Sequence, residues 1–428
     1  MSKTLGLIFP LIIIAILAIA AYQTINGDFL LGAKAGDPCS SYTRQKPLGT
    51  ASGIVASKQD GQFIWNLNGD STKPKVVVLC ARTKITKKLG GSLAYADIKV
   101  GDRVELLGWY GDTTKSTVLP AWIRDISSSS PFGVMTWGDS NSTKIQIATN
   151  LEAKYYRPLA VILNTDQTSC TECQAAKDKG FKLVLTIRAN GGGGNPTAPP
   201  TDWNTYKNRL SQVLDNYQPE VLVIENEENS NTFYTGSPQQ YLNELKVGCE
   251  IAHSKNIKCT NGGLVSKLVV ALVSESYKPD TNKADDYLRR ALTPEDYATV
   301  STSIGSPLWL SQIQRGRDLL AGYKTAGADF VNFHWHQENA ETIPEAVAYL
   351  STASQGLPVI NNEISPQKSI SPNQVTSFMQ KMLDLRLPYA VWYSNDADGI
   401  GGPTALTDKG GNLNDSGKAY RQFIKKNY

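Results

Sequence analysis

The residues with the clearest chemical potential are glutamates that follow apolar runs. Glu227 lies just beyond the apolar run at 221–224, and Glu363 follows the run that starts at Pro358. A carboxylate beside such runs is costly to bury unless it has a partner or a task. Two carboxylates that meet in one site can divide the work of a reaction, because one can move a proton while the other attacks as a nucleophile.

Such a pair is the equipment for cleaving glycosidic bonds. One carboxyl group protonates the leaving oxygen and the other attacks the anomeric carbon. A separation of about 5–5.5 Å goes with retention of configuration, and about 6.5–9.5 Å goes with inversion. The acid needs a raised pKa, whereas the nucleophile must stay ionised. We therefore predict Glu227 and Glu363 as a catalytic pair.

The elements that must position this pair alternate between strands and helices. After the Ser-rich linker at 127–131, apolar runs of strand length alternate with helical periodicity to the C-terminus. Eight such units predict a closed (β/α)₈ TIM barrel over residues 132–428, in which strands four and seven face each other and the site lies at the carboxyl ends of the strands. The predicted strands are Phe132–Trp137, Tyr155–Asn164, Phe181–Arg188, Glu220–Glu227, Ile257–Leu264, Phe330–His336, Pro358–Ile364 and Tyr389–Asn395.

An open, doubly wound α/β sheet is the alternative fold. It would carry a Gly-rich phosphate-binding turn after its first strand, and the first unit here has none. The runs at 183–185 and 221–224 are apolar without alternation, which is typical of parallel strands buried on both faces. Both folds belong to the α/β class, and the barrel is the prediction.

Residues 131–428 resemble clan A of the glycoside hydrolases, whose catalytic glutamates end strands four and seven. The Asn226-Glu227 pair carries this resemblance. It implies that Glu227 is the acid/base, that Glu363 is the nucleophile and that Asn226 binds the 2-hydroxyl of the sugar. It further implies a retaining double displacement without a cofactor.

The same resemblance suggests further substrate-binding residues. Arg157 on strand two, His334 or His336 on strand six and Trp392 on strand eight stand where the clan has an arginine, a histidine or tyrosine, and an aromatic floor. The two histidines could instead bind a metal ion. Since His253 is the only other histidine and lies on a predicted helix, we expect no metal.

Aromatic residues near the barrel mouth add three candidates by position. Trp137 ends strand one, and Phe233 and Tyr234 follow strand four. Each could stack on a sugar ring, because aromatic side chains combine an apolar face with a polar edge. Each could equally cover the rim of the barrel.

The N-terminus predicts export. Residues 5–22 are almost wholly apolar, and a helix of that length spans about 27 Å, enough for a bilayer core. Residues 1–25 are therefore either an uncleaved signal anchor or a cleaved signal peptide, for which Ala18 and Ala20 supply small residues. Either alternative sends the rest of the chain across a membrane, so we expect an extracytoplasmic protein, anchored or secreted.

Residues 38–126 differ in kind from the barrel. They contain short strand-like runs with turn signals and no helical period, which predicts a small all-β domain of OB-like type. Trp65 and Trp109 could be platforms for sugars, or core residues of a spacer domain. We favour the spacer.

Six cysteines agree with export, because an even count in an exported chain favours disulfides. Nearness in sequence suggests the pairs Cys39–Cys80, Cys170–Cys173 and Cys249–Cys259, among fifteen possible connectivities. The Cys170–Cys173 spacing could alternatively be a redox motif or half of a zinc site, although no second such motif or nearby histidine supports zinc.

Composition and net charge limit the classes of ligand that this protein is expected to bind. Hydrophobic residues make up 41% of the chain, and 43 Lys+Arg stand against 39 Asp+Glu. A net charge of +4 that is scattered along the chain argues against nucleic acid. We therefore expect a glycosidase acting on a polysaccharide or oligosaccharide. The rivals are a non-catalytic glycan-binding protein, a metal-dependent hydrolase centred on His334 and His336, and an adhesion protein.

Overall fold

The computed structural model describes residues 37–87, 92–126, 130–164, 169–191, 195–394, 404–408 and 410–428. The chain divides into two compact units. Of the described residues, the first unit contains those before Ser130 together with Lys425–Tyr428, and the second contains those from Ser130 to Ile424. The predicted signal segment at 1–25 lies outside the described residues, as do residues 127–129 of the predicted linker. Among the described residues, no helix combines the length and the apolar character that crossing a membrane requires.

The first unit is a six-stranded sheet that closes on itself. Its strands are β1 (Pro47–Gln59), β2 (Gln62–Leu67), β3 (Pro74–Val78), β4 (Lys84–Lys87), β5 (Arg103–Tyr110) and β6 (Thr117–Asp125). The order β3-β2-β1-β5-β6 is antiparallel throughout, and a parallel pairing of β3 with β6 closes the ring. β4 pairs in parallel with the other end of β6. Two short 3₁₀ helices, Pro38–Ser41 and Tyr95–Asp97, complete the unit.

Trp65 belongs to the core of this unit. Its side chain is fully buried among apolar neighbours that include Val55, Phe63 and Val104. Gly53 lies directly against the indole, since a Cβ at Gly53 would approach Trp65 Nε1 to 2.5 Å. Trp65 is therefore a packing residue rather than a platform for sugars.

The second unit is built on parallel strands. They are β7 (Phe132–Met135), β8 (Tyr155–Tyr156), β9 (Val161–Ile162), β10 (Lys182–Arg188), β11 (Val221–Ile224), β12 (Lys258–Asn261), β13 (Val331–Trp335), β14 (Val359–Ile364) and β15 (Ala390–Tyr393). Eight of them pair in the order β12-β11-β10-β8-β7-β15-β14-β13, and β9 pairs only with β10. Isolated parallel bridges from Thr260 to Phe330 and from Leu264 to Phe333 link the two ends of this order. The result is an α/β near-barrel of eight parallel strands, which is consistent with the closed (β/α)₈ barrel that the sequence predicts.

Helices follow or precede these strands along the second unit. They are α1 (Asn141–Asn150), α2 (Thr171–Asp178), α3 (Trp203–Tyr217), α4 (Pro238–Ser254), α5 (Ser266–Ser276), α6 (Thr281–Ala291), α7 (Pro294–Ser303), α8 (Pro307–Tyr323), α9 (Ile343–Ala353), α10 (Pro372–Asp384) and α11 (Asp415–Asn427).

Local sequence explains where several helices begin. α4 and α10 each start with a capping box, Ser237 with Gln240 and Ser371 with Gln374, followed by proline at the first helical position. The serine hydroxyl accepts from the third backbone N–H, and the glutamine side chain accepts from the serine N–H, so two unpaired donors are satisfied. Asp202 caps α3 by accepting from two backbone N–H groups.

The barrel interior follows the alternation of side chains along each strand. Val221 and Val223 of β11 belong to one core cluster with Val184 of β10, Ile360 of β14 and Val391 of β15. The intervening residues of each strand face the helices, because successive side chains of a strand lie on opposite faces. This alternation decides which residues reach the barrel mouth.

The predicted second strand is interrupted. Instead of one strand over 155–164, the chain forms the short strands β8 and β9, separated by residues 157–160, which begin with Arg157 and Pro158. Proline has no N–H for a ladder hydrogen bond, so the pairing cannot continue through Pro158. The break frees the Arg157 side chain to turn into the barrel.

All three predicted disulfides are present: Cys39–Cys80, Cys170–Cys173 and Cys249–Cys259. The first lies in the first unit. In the second unit, Cys170 immediately precedes α2, and the third bond joins α4 to β12. A pairing of near neighbours in sequence was therefore the right inference.

Removing the Cys249–Cys259 bond by the double change Cys249→Ser and Cys259→Ser is expected to lower stability. The bond closes a loop with a sequence separation of 10, for which chain entropy predicts a loss of about 2–3 kcal/mol in the free energy of unfolding. Urea denaturation followed by circular dichroism measures this. An unchanged free energy of unfolding would contradict the expectation.

Candidate active site

The carboxyl ends of the strands surround an open cavity of about 450 Å³. Its polar and aromatic lining residues at strand ends include Arg157, Asn226, Glu227, His336, Glu363 and Tyr393. Both glutamates of the predicted pair thus open into the same cavity, from β11 and β14.

Glu363 is surrounded by basic groups. Its Oε1 lies 2.7 Å from Arg157 Nη2 and 3.7 Å from His334 Nε2, and its Oε2 lies 3.5 Å from His336 Nε2. The side chain stays 13% exposed to the cavity. Burial by itself would raise the pKa of Glu363, but the positive charges of Arg157 and His334 hold that pKa well below its usual value of 4.5. The carboxylate is therefore ionised at any physiological pH.

An irregularity in the strand directs Glu363 inward. Between the pairs Phe333–Asn361 and His334–Glu363, the register of β13 against β14 shifts by one residue. A bulge of this kind changes the direction of the side chains that follow it. As a result, both Asn362 and Glu363 contact His334.

Glu227 lies across the cavity in an unusual backbone conformation. Its φ of 52° is in the left-handed region, which costs energy for a residue with a side chain and is often found at functional sites. Its Oε1 lies 3.0 Å from His334 Nδ1. Because the two nitrogens of one imidazole ring contact both carboxyl groups, the oxygens that they contact are at most about 9 Å apart, a bound that includes the separations of both retaining and inverting glycosidases.

The buried side chain of His334 contacts both Glu227 and Glu363. It is fully buried, and its Nε2 also lies 3.0 Å from Asn362 Oδ1. Burial by itself would lower the pKa of His334, but the negative charge of Glu363 and the hydrogen bond to Glu227 raise it above its usual 6.5. Both ring nitrogens face oxygen atoms, so the protonated ring can donate to each side. His334 therefore positions the glutamates rather than contacting a substrate.

Gly263 makes room for this histidine. Its φ is +94°, and a Cβ there would approach His334 Nε2 to 2.2 Å. Glycine is the residue that tolerates both the backbone conformation and the close approach.

The glutamates that flank Glu227 turn away from the cavity. Glu225 accepts from Ala189 N at 2.6 Å. Glu228 accepts from Asn261 Nδ2 at 2.9 Å and from the Tyr323 hydroxyl. Both are fully buried, and burial raises the pKa of each. Of the three glutamates in this run, Glu227 is the one that lines the cavity.

Arg157 links Asn226 to Glu363. Besides its ion pair with Glu363, Nη2 of Arg157 donates to Asn226 Oδ1 at 3.4 Å. Asn226 lies beside Glu227 in the cavity lining. The side chains of Asn226, Glu227, Arg157 and Glu363 thus form one continuous polar wall.

The prediction for Trp392 is wrong. Its side chain is 1% exposed and packs edge-on against Phe378 of α10 and Tyr420 of α11. Along β15, alternate residues face inward, and this parity sends Trp392 to the helix layer. The next residue, Tyr393, lines the cavity beside His336, with ring centroids 5.7 Å apart.

Tyr234 and Trp137 are not brought to the cavity either. Tyr234 is fully buried, and its hydroxyl donates to Glu244 Oε2 at 2.8 Å. Phe233, one residue earlier, lines the cavity instead. Trp137 packs against the barrel core and is absent from the cavity lining. Phe233 is thus the aromatic candidate after strand four that lines the cavity, whereas Tyr393, the neighbour of Trp392, was not predicted.

His334, His336 and Glu363 could in principle hold a metal ion, because one ligand atom of each lies within 4.8 Å of the others. Their atoms already have partners, however. Arg157 contacts Glu363 Oε1, and Nδ1 of His336 lies 3.1 Å from the Ser365 carbonyl oxygen, which can only accept. Ion pairs and hydrogen bonds among the three residues and to Arg157 and Ser365 thus hold His334, His336 and Glu363 in place.

We expect His334→Gln to lower stability in a pH-dependent manner. A raised folded-state pKa means that protonated His334 stabilises the fold fully below its usual 6.5 and loses that contribution as the pH rises through the raised value. The loss in unfolding free energy should be about 3 kcal/mol at pH 6 and should shrink at higher pH. Denaturation at a series of pH values measures it.

His253→Gln is the matched control, because His253 pairs with Asp329 at the surface. Its effect should stay below about 1 kcal/mol. A loss for His334→Gln that grows with pH would contradict the assignment of a buried, protonated ring.

No family model and no curated protein matches the chain. Similar solved structures include an endo-β-1,3-glucanase of glycoside hydrolase family 128 from Sorangium cellulosum, at 13% identity and a TM-score of 0.43, covering 68% of this chain and 98% of that one. The catalytic domain of a hyperthermophilic chitinase from Pyrococcus furiosus is similar at 10% identity and a TM-score of 0.43, covering 69% and 95%. An oligosaccharide-binding protein of family 128 from Trichoderma gamsii is similar at 13% identity and a TM-score of 0.40, covering 70% and 95%.

Proposed function

We propose that this protein is a glycoside hydrolase that cleaves a polysaccharide or oligosaccharide with retention of configuration. One observation carries the proposal: two glutamates from opposed strands open into one cavity, and Arg157 keeps one of them ionised. An ionised carboxylate opposite a second carboxyl group is the arrangement that glycoside hydrolysis needs, and the resemblance to clan A glycoside hydrolases favours the double displacement.

In the first step, Glu363 attacks the anomeric carbon while Glu227 gives its proton to the glycosidic oxygen. The bond from the anomeric carbon to that oxygen breaks, the leaving sugar departs as an alcohol, and a glycosyl ester forms on Glu363. In the second step, Glu227 takes a proton from a water molecule. The resulting oxygen attacks the anomeric carbon, and Glu363 leaves as a carboxylate. Both steps use side chains and water, so the reaction requires no cofactor.

The other lining residues have roles that follow from their contacts. Arg157 keeps Glu363 ionised and orients Asn226, whose amide can bind a hydroxyl of the sugar. His336 lies against the second oxygen of Glu363, and its ring neighbours Tyr393. Tyr393 and Phe233 offer aromatic surface to a sugar ring. His334 holds the two glutamates at their separation.

The proposal includes an extracytoplasmic location, anchored in a membrane or secreted. Three disulfides support it, since such bonds persist in oxidising compartments. The apolar run at 5–22 supports an N-terminal signal anchor or signal peptide. For the first unit we propose an OB-like spacer, a type that its five-stranded closed order supports.

A non-catalytic glycan-binding protein is the second candidate. The observation that favours it is the crowding of Glu363 by Arg157, His334 and His336, because ion pairs can restrain a carboxylate. The same contacts leave Glu363 ionised and open to the cavity, which suits a nucleophile equally well. Activity therefore separates the two candidates.

Glu363→Gln and Glu227→Gln test the proposal. Release of reducing sugar is measured on a panel of β-1,3-glucan, β-1,4-glucan, chitin, xylan and mannan. We expect the parent protein to hydrolyse at least one of them. Glu363→Gln should lower that rate by at least about 10³-fold because it removes the nucleophile. Glu227→Gln should lower it by about 10²–10⁴-fold because it removes the proton donor.

Glu341→Gln is the matched control, because it makes the same chemical change on a side chain that is 64% exposed. It should retain full activity. Full activity of Glu363→Gln on a hydrolysed substrate would refute the assignment of the nucleophile. A parent protein that binds a panel glycan without cleaving it would favour the second candidate.

A further inference from the structure

A second cavity of about 430 Å³ lies between the beginnings of α3 and α4. Six residues line it: Pro199, Pro200, Trp203, Gln239, Gln240 and Asn243. We call it the Trp203 groove. Its size is within the range of sites that bind small molecules, and none of these residues belongs to the catalytic cavity.

The chemistry of the Trp203 groove is apolar and amide-rich, without a charged side chain. Trp203 is partly exposed, and the two prolines extend its apolar surface. Gln239, Gln240 and Asn243 are exposed at the rim. Gln240 accepts from Ser237 N through its amide oxygen, which leaves its NH₂ group to donate elsewhere. Amides both donate and accept, as sugar hydroxyls do, and an indole face suits the apolar face of a sugar ring.

The absence of charge from this lining selects the ligand. A phosphate, an acidic glycan or a basic peptide would be stabilised by an opposite charge, and the six lining residues supply none. A neutral carbohydrate chain needs an aromatic face and hydrogen-bonding amides, and the groove supplies both.

Backbone hydrogen bonds connect the segment that carries Pro199 of the groove to the segment that carries Phe233 of the catalytic cavity. The backbone at Thr197 donates to Phe233 O at 2.8 Å, and Thr235 N donates to Thr197 O at 2.8 Å. Pro199 packs closely on Gly236, since a Cβ added at Gly236 would lie 2.5 Å from Cγ of the Pro199 ring. Phe233 itself lines the catalytic cavity. The segments that carry Pro199 and Phe233 are therefore joined by backbone hydrogen bonds and by packing.

Both walls also lie on one end of the barrel. α3 begins after β10 and α4 begins after β11, so both helix starts are at the carboxyl ends of the strands, where Glu227 also lies. A polymer held in the catalytic cavity can therefore extend along the same end of the barrel toward the Trp203 groove.

We propose that the Trp203 groove binds a second stretch of the neutral polysaccharide that the catalytic cavity cleaves. The identity of the polymer rests on the proposed hydrolase function, whereas binding of a neutral glycan to the groove does not. A binding surface separate from the reacting bond implies preference for long chains, because only a long chain can occupy both sites at once.

Binding is tested in the Glu363→Gln background, so that hydrolysis does not consume the ligand. Depletion from solution by each insoluble glycan of the panel gives the dissociation constant. Trp203→Ala should weaken binding to the preferred polymer by about tenfold, which corresponds to about 1.4 kcal/mol. Trp203→Phe should recover part of the loss, because it restores an aromatic face.

Two further variants separate the groove from the fold. The double change Gln239→Ala and Asn243→Ala leaves the aromatic residue in place and should weaken binding by a smaller factor, while the unfolding temperature stays unchanged. Leu308→Ala is the matched apolar control, because Leu308 is 67% exposed on α8 outside the groove. It should bind as its parent does.

The outcomes distinguish the two proposals. If the parent binds a glycan and Trp203→Ala weakens binding, the groove is supported whether or not any glycan is hydrolysed. If a glycan is hydrolysed but Trp203→Ala, correctly folded, binds it as the parent does, the groove proposal is refuted and the hydrolase proposal stands. If the Glu363→Gln protein binds no glycan of the panel, the groove proposal is refuted as well.

Discussion

The ion pair between Arg157 and Glu363 is the interaction on which the rest of the site depends. A carboxylate at the mouth of an apolar barrel is unstable without an opposite charge, and Arg157 supplies that charge from the interrupted second strand. With this pair in place, the His334 ring lies between Glu363 and Glu227 and can hold a proton there. The site is therefore a row of contacting side chains, Arg157, Glu363, His334 and Glu227, in which each group holds the next in place.

A network of buried amide side chains supports His334 through Asn362. Asn332 donates to Asn362 Oδ1 at 2.8 Å, and Asn362 N donates back to Asn332 Oδ1 at 3.1 Å. Asn261 joins β12 to the same network through Asn332 and to Glu228 through its amide. Buried amides in such a network restrict the side chains they contact. The orientation of His334, and with it the separation of the glutamates, is fixed by strands β12, β13 and β14 together.

Much of this arrangement could be predicted from the sequence, because it depends on short-range signals. The apolar runs place the eight strands, and nearness in sequence pairs the cysteines. The position of Glu227 and Glu363 after strands four and seven predicts that they meet. Such features depend on the chain within a few residues of each position, so one sequence suffices.

The errors arise where side-chain direction depends on neighbouring strands. Whether Trp392 or Tyr393 faces the cavity follows from the parity of β15, which the apolar pattern of a strand buried on both faces does not reveal. Phe233 and Tyr234 follow β11 in a loop, and the sequence does not reveal which of the two side chains faces the cavity. The bulge that lets Glu363 reach inward, and the buried position of His334 beneath both glutamates, depend on the register between β13 and β14.

The stereochemistry of hydrolysis tests the central claim most directly. Proton NMR of the first reducing ends released from the preferred glycan, recorded before mutarotation, shows which anomer forms. The account predicts that the product keeps the anomeric configuration of the cleaved bond, because Glu363 attacks first and water attacks second. Release of the opposite anomer would contradict a nucleophilic Glu363 and would require water to attack in a single step.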